Sequence, residues 1–202
     1  MKKKFLNSSM REIKNKFPEY DNEKLEEIEY GLEAIYIVLT KTVVIFALAI
    51  ILNIFKEVFF TLLFYNFLRT TAFGMHAKKS SHCYILSSIF FLGGGFICKY
   101  IDINLYFKLI IGFISLIFLV LYAPADTYNR PLINKKKRII YKVITVINGL
   151  VYFISMTFFS KHIISDYLFL GLFEASLMIH PLTYRMFQLP YNNYKNYEVS
   201  YN

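Results

Sequence analysis

Six apolar blocks separated by short polar linkers constrain this chain more than any other feature; they occupy residues 35–54, 58–68, 84–100, 105–123, 139–159 and 163–179. Their apolar residues are gathered into runs rather than spaced at the period of a strand or an amphipathic helix. Runs of this kind approach the ~20 residues with which an α-helix crosses the hydrocarbon of a bilayer. Lipid offers no partner for backbone N–H and C=O groups, so a spanning segment has to satisfy its own, as a helix does. The composition agrees, at 56% hydrophobic and 19% aromatic over 202 residues, too apolar for an ordinary water-soluble domain. The expected fold class is an all-α integral membrane protein of about six transmembrane or partly re-entrant helices, with the bilayer as its solvent. Block 58–68 is the short member; it spans only if its Phe-rich run continues through Thr70, Thr71 and Phe73, and otherwise reads as re-entrant. Blocks 84–100 and 163–179 are borderline in length.

Charge sets the orientation, because Lys and Arg in short loops are retained in the cytoplasm. Basic residues concentrate at the N-terminus (Lys2, Lys3, Lys4, Arg11), in the loop from Arg69 to His82, in the loop from Arg130 to Arg138, and in the tail with Arg185. The linkers around Lys56, around 99–104 and around 161–166 carry fewer. Alternating these two sets across six spans puts both termini in the cytoplasm. The formal net charge of +9 therefore reads as lipid-headgroup contact at span ends rather than as a nucleic-acid surface. The layout has three parts: a cytoplasmic amphipathic segment over 1–34, a membrane domain over 35–180, and a cytoplasmic tail over 181–202. In the first, Phe5, Leu6, Met10, Ile13 and Phe17 recur at helical spacing, so it is able to lie on the membrane surface. Residues 1–4 are basic like the start of a signal peptide, but the acidic stretch 19–33 precedes any apolar run, and nothing is expected to be cleaved off.

Reactive residue types concentrate in one stretch, Arg69-Thr-Thr-Ala-Phe-Gly74-Met-His76-Ala-Lys78-Lys79-Ser80-Ser-His-Cys83. A cysteine attacks a carbonyl only as thiolate, which a helix N-terminus, a cation or an imidazole favours. All three are at hand for Cys83: Ser80 or Ser81 is a suitable N-cap for the helix that follows, and Lys78, Lys79 and Arg69 add positive potential. His76 precedes Cys83 by seven residues. On one unbroken helix that is roughly 10 Å along the axis, too far for a hydrogen bond, so the segment has to bend, and Gly74, Ser80 and Ser81 permit it. The imidazole of His76 then serves as base and proton carrier. A group orienting it has to be a backbone carbonyl, a serine or a distant carboxylate such as Asp126. His82 is the rival base, but on a helix it points about 100° away from its neighbour Cys83. Lys78 and Lys79 equally satisfy the positive-inside rule, and Arg69 equally suits an interface anchor at a span end.

The arrangement Arg69…Gly74-x-His76-x6-Cys83 ahead of an apolar helix, with the Ala-Pro-Ala…Pro run at 123–131 followed by basic residues, resembles the AgrB family of accessory gene regulator membrane peptidases. The likeness extends over nearly the whole chain in size, span layout and motif order. It implies a cell-membrane, multi-pass cysteine endopeptidase with its active site at the cytoplasmic face, acting in quorum sensing on an AgrD-like propeptide. Such an enzyme removes the propeptide's C-terminal tail, holds the remainder as a thioester, and yields a cyclic thiolactone autoinducing peptide. By motif, His76 and Cys83 are the catalytic pair and Arg69 and Gly74 the supporting positions. By their own chemistry, Arg69, Lys78 and Lys79 are able to bind carboxylates of the propeptide tail or the tetrahedral oxyanion, and Ser80 is able to cap the helix. The family also implies a homodimer.

Other readings follow from other residues. Cys98 sits inside an apolar block and reads as a small buried hydrophobe. Cys83 and Cys98 lie about 22 Å apart on one helix, which excludes a disulfide between them. Without a C-x-x-C or H-E-x-x-H motif, neither a metal nor another cofactor is expected. Glu174, in the middle of block 163–179, is costly in hydrocarbon and reads as functional or as one half of a buried pair with Lys142. Glu174, Lys142 and Lys41 lining a pathway would make a small transporter or channel, the alternative function. His180 before Pro181 marks a helix end, and Gly93 to Gly95 suit close helix packing or a dimer contact.

Overall fold

A computed structural model of the chain describes residues 2–75, 80–127 and 131–198. Among these residues the fold is all-helical: α1 (Lys2–Lys16), α2 (Asn22–Ile51), α3 (Phe55–Ala72), α4 (Ser80–Tyr100), α5 (Leu105–Tyr122), α6 (Lys135–Phe158), α7 (Ile164–Ile179), α8 (Pro181–Met186) and α9 (Lys195–Glu198). By length and composition α2, α5 and α6 are able to cross a membrane, and shorter apolar helices accompany them. Each apolar block of the sequence lies within or along one of the helices α2 to α7.

Two compact units divide the chain within α2, residues 1–48 and 49–202. In the first, Asp21 starts α2 by accepting a hydrogen bond from the Lys24 amide at 2.8 Å. Lys2 pairs with Glu33, and the rings of Phe5 and Tyr36 meet at 5.3 Å, so α1 lies against the polar beginning of α2. Leu6 and Met10 of the amphipathic α1 are buried. The helix α2 thus begins well before the apolar block at residue 35, because Glu and Lys are adequate helix formers and Asp21 supplies a cap.

In the second unit α7 is the axis. It packs against α3, α4, α5 and α6, and most of its side chains are buried, among them Tyr167, Leu172 and Ile179. Glycines allow the close approaches. A Cβ on Gly171 would stand 2.9 Å from Phe64 Cβ and 3.1 Å from the Tyr65 amide nitrogen of α3, and one on Gly149 of α6 would stand 2.6 Å from Leu119 of α5. Gly94 and Gly95 serve α4 in the same way, against Glu174 and Val58. Polar cross-ties complete the packing: Thr145 Oγ1 of α6 donates to Thr71 Oγ1 of α3 at 2.9 Å, and the Tyr152 hydroxyl donates to the Phe64 carbonyl at 3.1 Å. Outward, α5 and α6 expose Phe107, Ile110, Phe113, Ile147, Val151 and Ile154. An apolar surface of that extent belongs in lipid.

The short block 58–68 is part of a longer helix than its apolar residues suggest. Lys56, Glu57 and the stretch from Arg69 to Ala72 continue α3 to 18 residues, about 27 Å at 1.5 Å per residue. At the end of the unit formed by the starts of α5 and α7, Lys108 Nζ lies 2.6 Å from Asp166 Oδ1 and 3.2 Å from the Ser165 hydroxyl. Nothing in the linear pattern joins these two residues, which lie in different apolar helices. Glu174 is 3% exposed and, among the described residues, has no cation in ion-pair range; Lys142 lines a surface cavity instead. The expected Glu174–Lys142 pair does not form because Lys142 projects to the outer surface of α6 while Glu174 faces Gly94 of α4. Cys98 is buried, its sulfur 3.9 Å from Thr61 Oγ1.

Candidate active site

The motif stretch begins where α3 stops. Phe73 takes φ +58° and Gly74 φ +114°, so the backbone turns sharply out of the helix, as the glycine allows. The turn is then held on three sides. Gly74 N–H donates to the Ala125 carbonyl at 2.9 Å, the Ala125 amide donates to the Ala72 carbonyl at 3.0 Å, and Met75 N–H donates to the Met178 carbonyl at 3.1 Å. Phe73 and Ala125 form an isolated parallel bridge. The loop after α5 and the last turn of α7 are therefore bonded directly to the segment that leads to His76.

Arg69 points into the same turn. Its guanidinium donates to the Tyr65 hydroxyl, to the Gly74 carbonyl at 3.5 Å and to the Met75 carbonyl. A planar fork of five donors suits such divergent acceptors, where a lysine ammonium on its flexible stem would not hold them together. Arg69 thus binds the loop itself. Gly74 is equally tied to its place, because a Cβ there would lie 3.0 Å from the Met178 carbonyl oxygen in addition to the positive φ.

Beyond Met75, His76, Lys78 and Lys79 lie outside the described residues, as do the side chains of Ser80, His82 and Cys83. The backbone resumes at Ser80 as the first residue of α4, which puts residue 83 in the first turn of that helix. Two ends of the motif are therefore anchored: the entry at Met75, 3% exposed, and the exit in α4. Arg69 and Gly74 are brought together at the entry.

Asp126, named from sequence as a distant carboxylate able to orient the imidazole, accepts hydrogen bonds from several of the described residues. Its Oδ1 accepts from the Asn193 amide at 2.9 Å and from Asn193 Nδ2 at 3.4 Å, and its Oδ2 from the Tyr194 amide at 2.8 Å and the Leu132 amide at 3.3 Å. Among the described residues, four donors thus reach this carboxylate. Beneath it, the Tyr184 hydroxyl donates to the Asp126 carbonyl at 2.9 Å. Burial raises the Tyr184 phenol above its ordinary range, which keeps that donor protonated. Nothing in the sequence marks Tyr184, Asn193 or Tyr194 as neighbours of the motif, since 58 residues separate Tyr184 from Asp126. His180 ends α7 as expected, and its Nδ1 accepts from the Leu182 amide at 3.2 Å to start α8. No cluster of His, Cys, Asp and Glu able to hold a metal ion occurs among the described residues.

Comparison with known proteins covers nearly the whole of this arrangement. The family model described as accessory gene regulator B matches residues 6–179. An AgrB-like protein of Clostridium acetobutylicum is 30% identical over 184 residues, which is 91% of this chain and 88% of that protein. An AgrB-like protein of Listeria monocytogenes is 30% identical over 179 residues, 88% of this chain and 87% of its own length. Accessory gene regulator protein B of Staphylococcus epidermidis is 33% identical over 123 residues, 59% of this chain and 63% of that protein. No solved structure matches.

Proposed function

This chain belongs to the accessory gene regulator B family, with a role in that quorum-sensing system, and from that premise we propose that it is the membrane cysteine endopeptidase that trims an AgrD-like propeptide. The observation that carries the reading is the anchored turn: Arg69, Ala125 and Met178 hold residues 72–75 from three sides, and α4 opens at Ser80 with residue 83 in its first turn. A loop that merely joined two spans would not need its backbone bonded to two distant elements and a guanidinium. A loop presenting a base to a nucleophile would, because a displacement of about 1 Å costs a large factor in rate.

In the proposed reaction the Cys83 thiolate attacks the carbonyl carbon of the scissile peptide bond, and His76 holds the proton that the thiol has given up. Collapse of the tetrahedral adduct breaks the C–N bond, and His76 delivers that proton to the departing amine, which leaves with the propeptide's C-terminal tail. The remainder stays on Cys83 as a thioester. An internal cysteine thiol of the peptide then attacks this thioester, closes the thiolactone and returns Cys83 to its starting state. Thioester for thioester is close to an even exchange, so no ATP is needed; water has to be kept out, which a membrane-embedded mouth favours. Arg69 and Gly74 act as positioning residues for the loop. Lys78, Lys79 and Ser80 supply positive potential and a cap. The site faces the cytoplasm, where the propeptide is made, and the working unit is a homodimer.

The test co-expresses this chain with the propeptide encoded beside it and follows tail removal by mass for wild type, Cys83→Ala, His76→Ala and His82→Ala. Cleavage abolished in the first two and kept in the third is the expected pattern. If Cys83→Ala still cuts, the peptidase reading fails.

A further inference from the structure

We propose that the C-terminal tail over residues 190–194 is a positioning strap for the active-site loop, acting through the buried carboxylate of Asp126. The inference rests on the peptidase reading and adds to it a remote pair of positioning residues, Asp126 and Asn193.

Asp126 and Asn193 are 3% and 2% exposed. No lysine or arginine pairs with the Asp126 carboxylate among the described residues; three of its four donors come from the tail, namely the Asn193 amide, Asn193 Nδ2 and the Tyr194 amide. Losing these donors would leave the buried acceptors of Asp126 unsatisfied. The tail is also pinned from outside. The Arg138 guanidinium stacks on the Tyr194 ring at 3.4 Å, the Tyr184 and Tyr191 rings meet at 5.0 Å, and Asn193 Nδ2 donates to the Pro190 carbonyl at 3.1 Å. Burial pushes the Tyr191 phenol up to about 12.

The connection inward is short. Residue 125, next to Asp126, gives its amide to Ala72 and takes the Gly74 amide on its carbonyl, and Gly74 is two residues from His76. Tyr184 ties the same loop from below through both the Asp126 carbonyl and the Ala125 carbonyl at 3.4 Å. A tail that only covered apolar surface would have no reason to place three hydrogen-bond donors on the one carboxylate adjoining the bridge to Gly74. Releasing the tail frees the loop at 124–127, and with it one of the three holds on residues 72–75.

Two variants of the full membrane protein test this: truncation after Leu189, and Asp126→Asn, which turns one acceptor oxygen into a donor facing amide donors. Iodoacetamide is the probe, with modification of Cys83 and of buried Cys98 followed separately by mass, alongside kcat and KM for the propeptide. Both variants should lower the Cys83 alkylation rate and kcat by roughly 10–100-fold, the range expected of misplaced reacting groups. KM should change by less than about threefold, because remote positioning acts on the reacting geometry rather than on binding, and Cys98 should stay as protected as in wild type. Wild-type values of kcat and of Cys83 alkylation in either variant overturn the proposal. So does a loss of activity in which Cys98 becomes alkylated as in denatured protein, which would make the tail a general stabiliser. A Cys83→Ala protein that still cleaves would instead sink the peptidase reading, whereas an inactive Cys83→Ala beside fully active strap variants removes the strap alone.

Discussion

Gly74 and Arg69 carry the local argument, and each does so through one backbone feature. Gly74 sits at φ +114°, a conformation costing about 1–3 kcal/mol for a residue with a Cβ, and the added methyl would meet the Met178 carbonyl. Gly74→Ala should therefore lower both thermal stability and propeptide cleavage, read by a melting curve and by mass of the product. Arg69→Lys keeps the charge but loses the fork that spans the Tyr65 hydroxyl and the carbonyls of Gly74 and Met75. Cleavage should fall at least roughly tenfold. An interface anchor, by contrast, would tolerate lysine, so near-wild-type activity in Arg69→Lys would return Arg69 to that simpler role. Sequence alone left Arg69 between a supporting or substrate-binding role and an interface anchor, because both suit a cation at a helix end; its contacts with the turn support the positioning role proposed above.

At the scale of helices, the central placement of α7 explains residues that composition cannot rank. Gly171 lets α7 approach α3 until its Cα faces Phe64 and Tyr65 backbone. Gly171→Val should force the two helices apart, at a cost of about 1–3 kcal/mol for overpacking, and a shift of the melting transition in detergent would measure it. Because Tyr65 also accepts from Arg69, this variant should lose cleavage as well as stability. Gly93, where an added Cβ would meet nothing within 4 Å, is the control: Gly93→Ala should melt as wild type does or slightly higher, since alanine favours helix. The three glycines at 93–95 look alike in the sequence, and only the neighbours of α4 separate the two that pack from the one that does not. The length of α3 was left open for a related reason. Its charged and hydroxylated end residues break the apolar run, yet they continue the helix.

For the whole molecule the prediction concerns sidedness. Single cysteines introduced near Lys161 and near Arg185, on a background with Cys83 and Cys98 replaced by alanine, should label from opposite faces of intact cells with a membrane-impermeant maleimide. Labelling of both from outside would reverse the cytoplasmic assignment of the tail. What the sequence determined by itself was the class of fold, since runs of apolar residues dictate helices in lipid whatever their partners are; the grouping of the motif residues on which the proposed chemistry rests also needs no tertiary knowledge, because they lie within fifteen positions of one another. It also placed the breaks at Gly74 and Pro181, where backbone chemistry is local. Only the tertiary structure decided which helix is the axis, that Lys108 pairs with Asp166 while Glu174 and Lys142 stay apart, and that a tail beginning near residue 190 closes on Asp126. Those contacts join residues tens of positions apart in a chain of uniformly apolar helices, and their partners are chosen by packing, shape and the need of each buried polar atom for a donor or acceptor, none of which a linear pattern records.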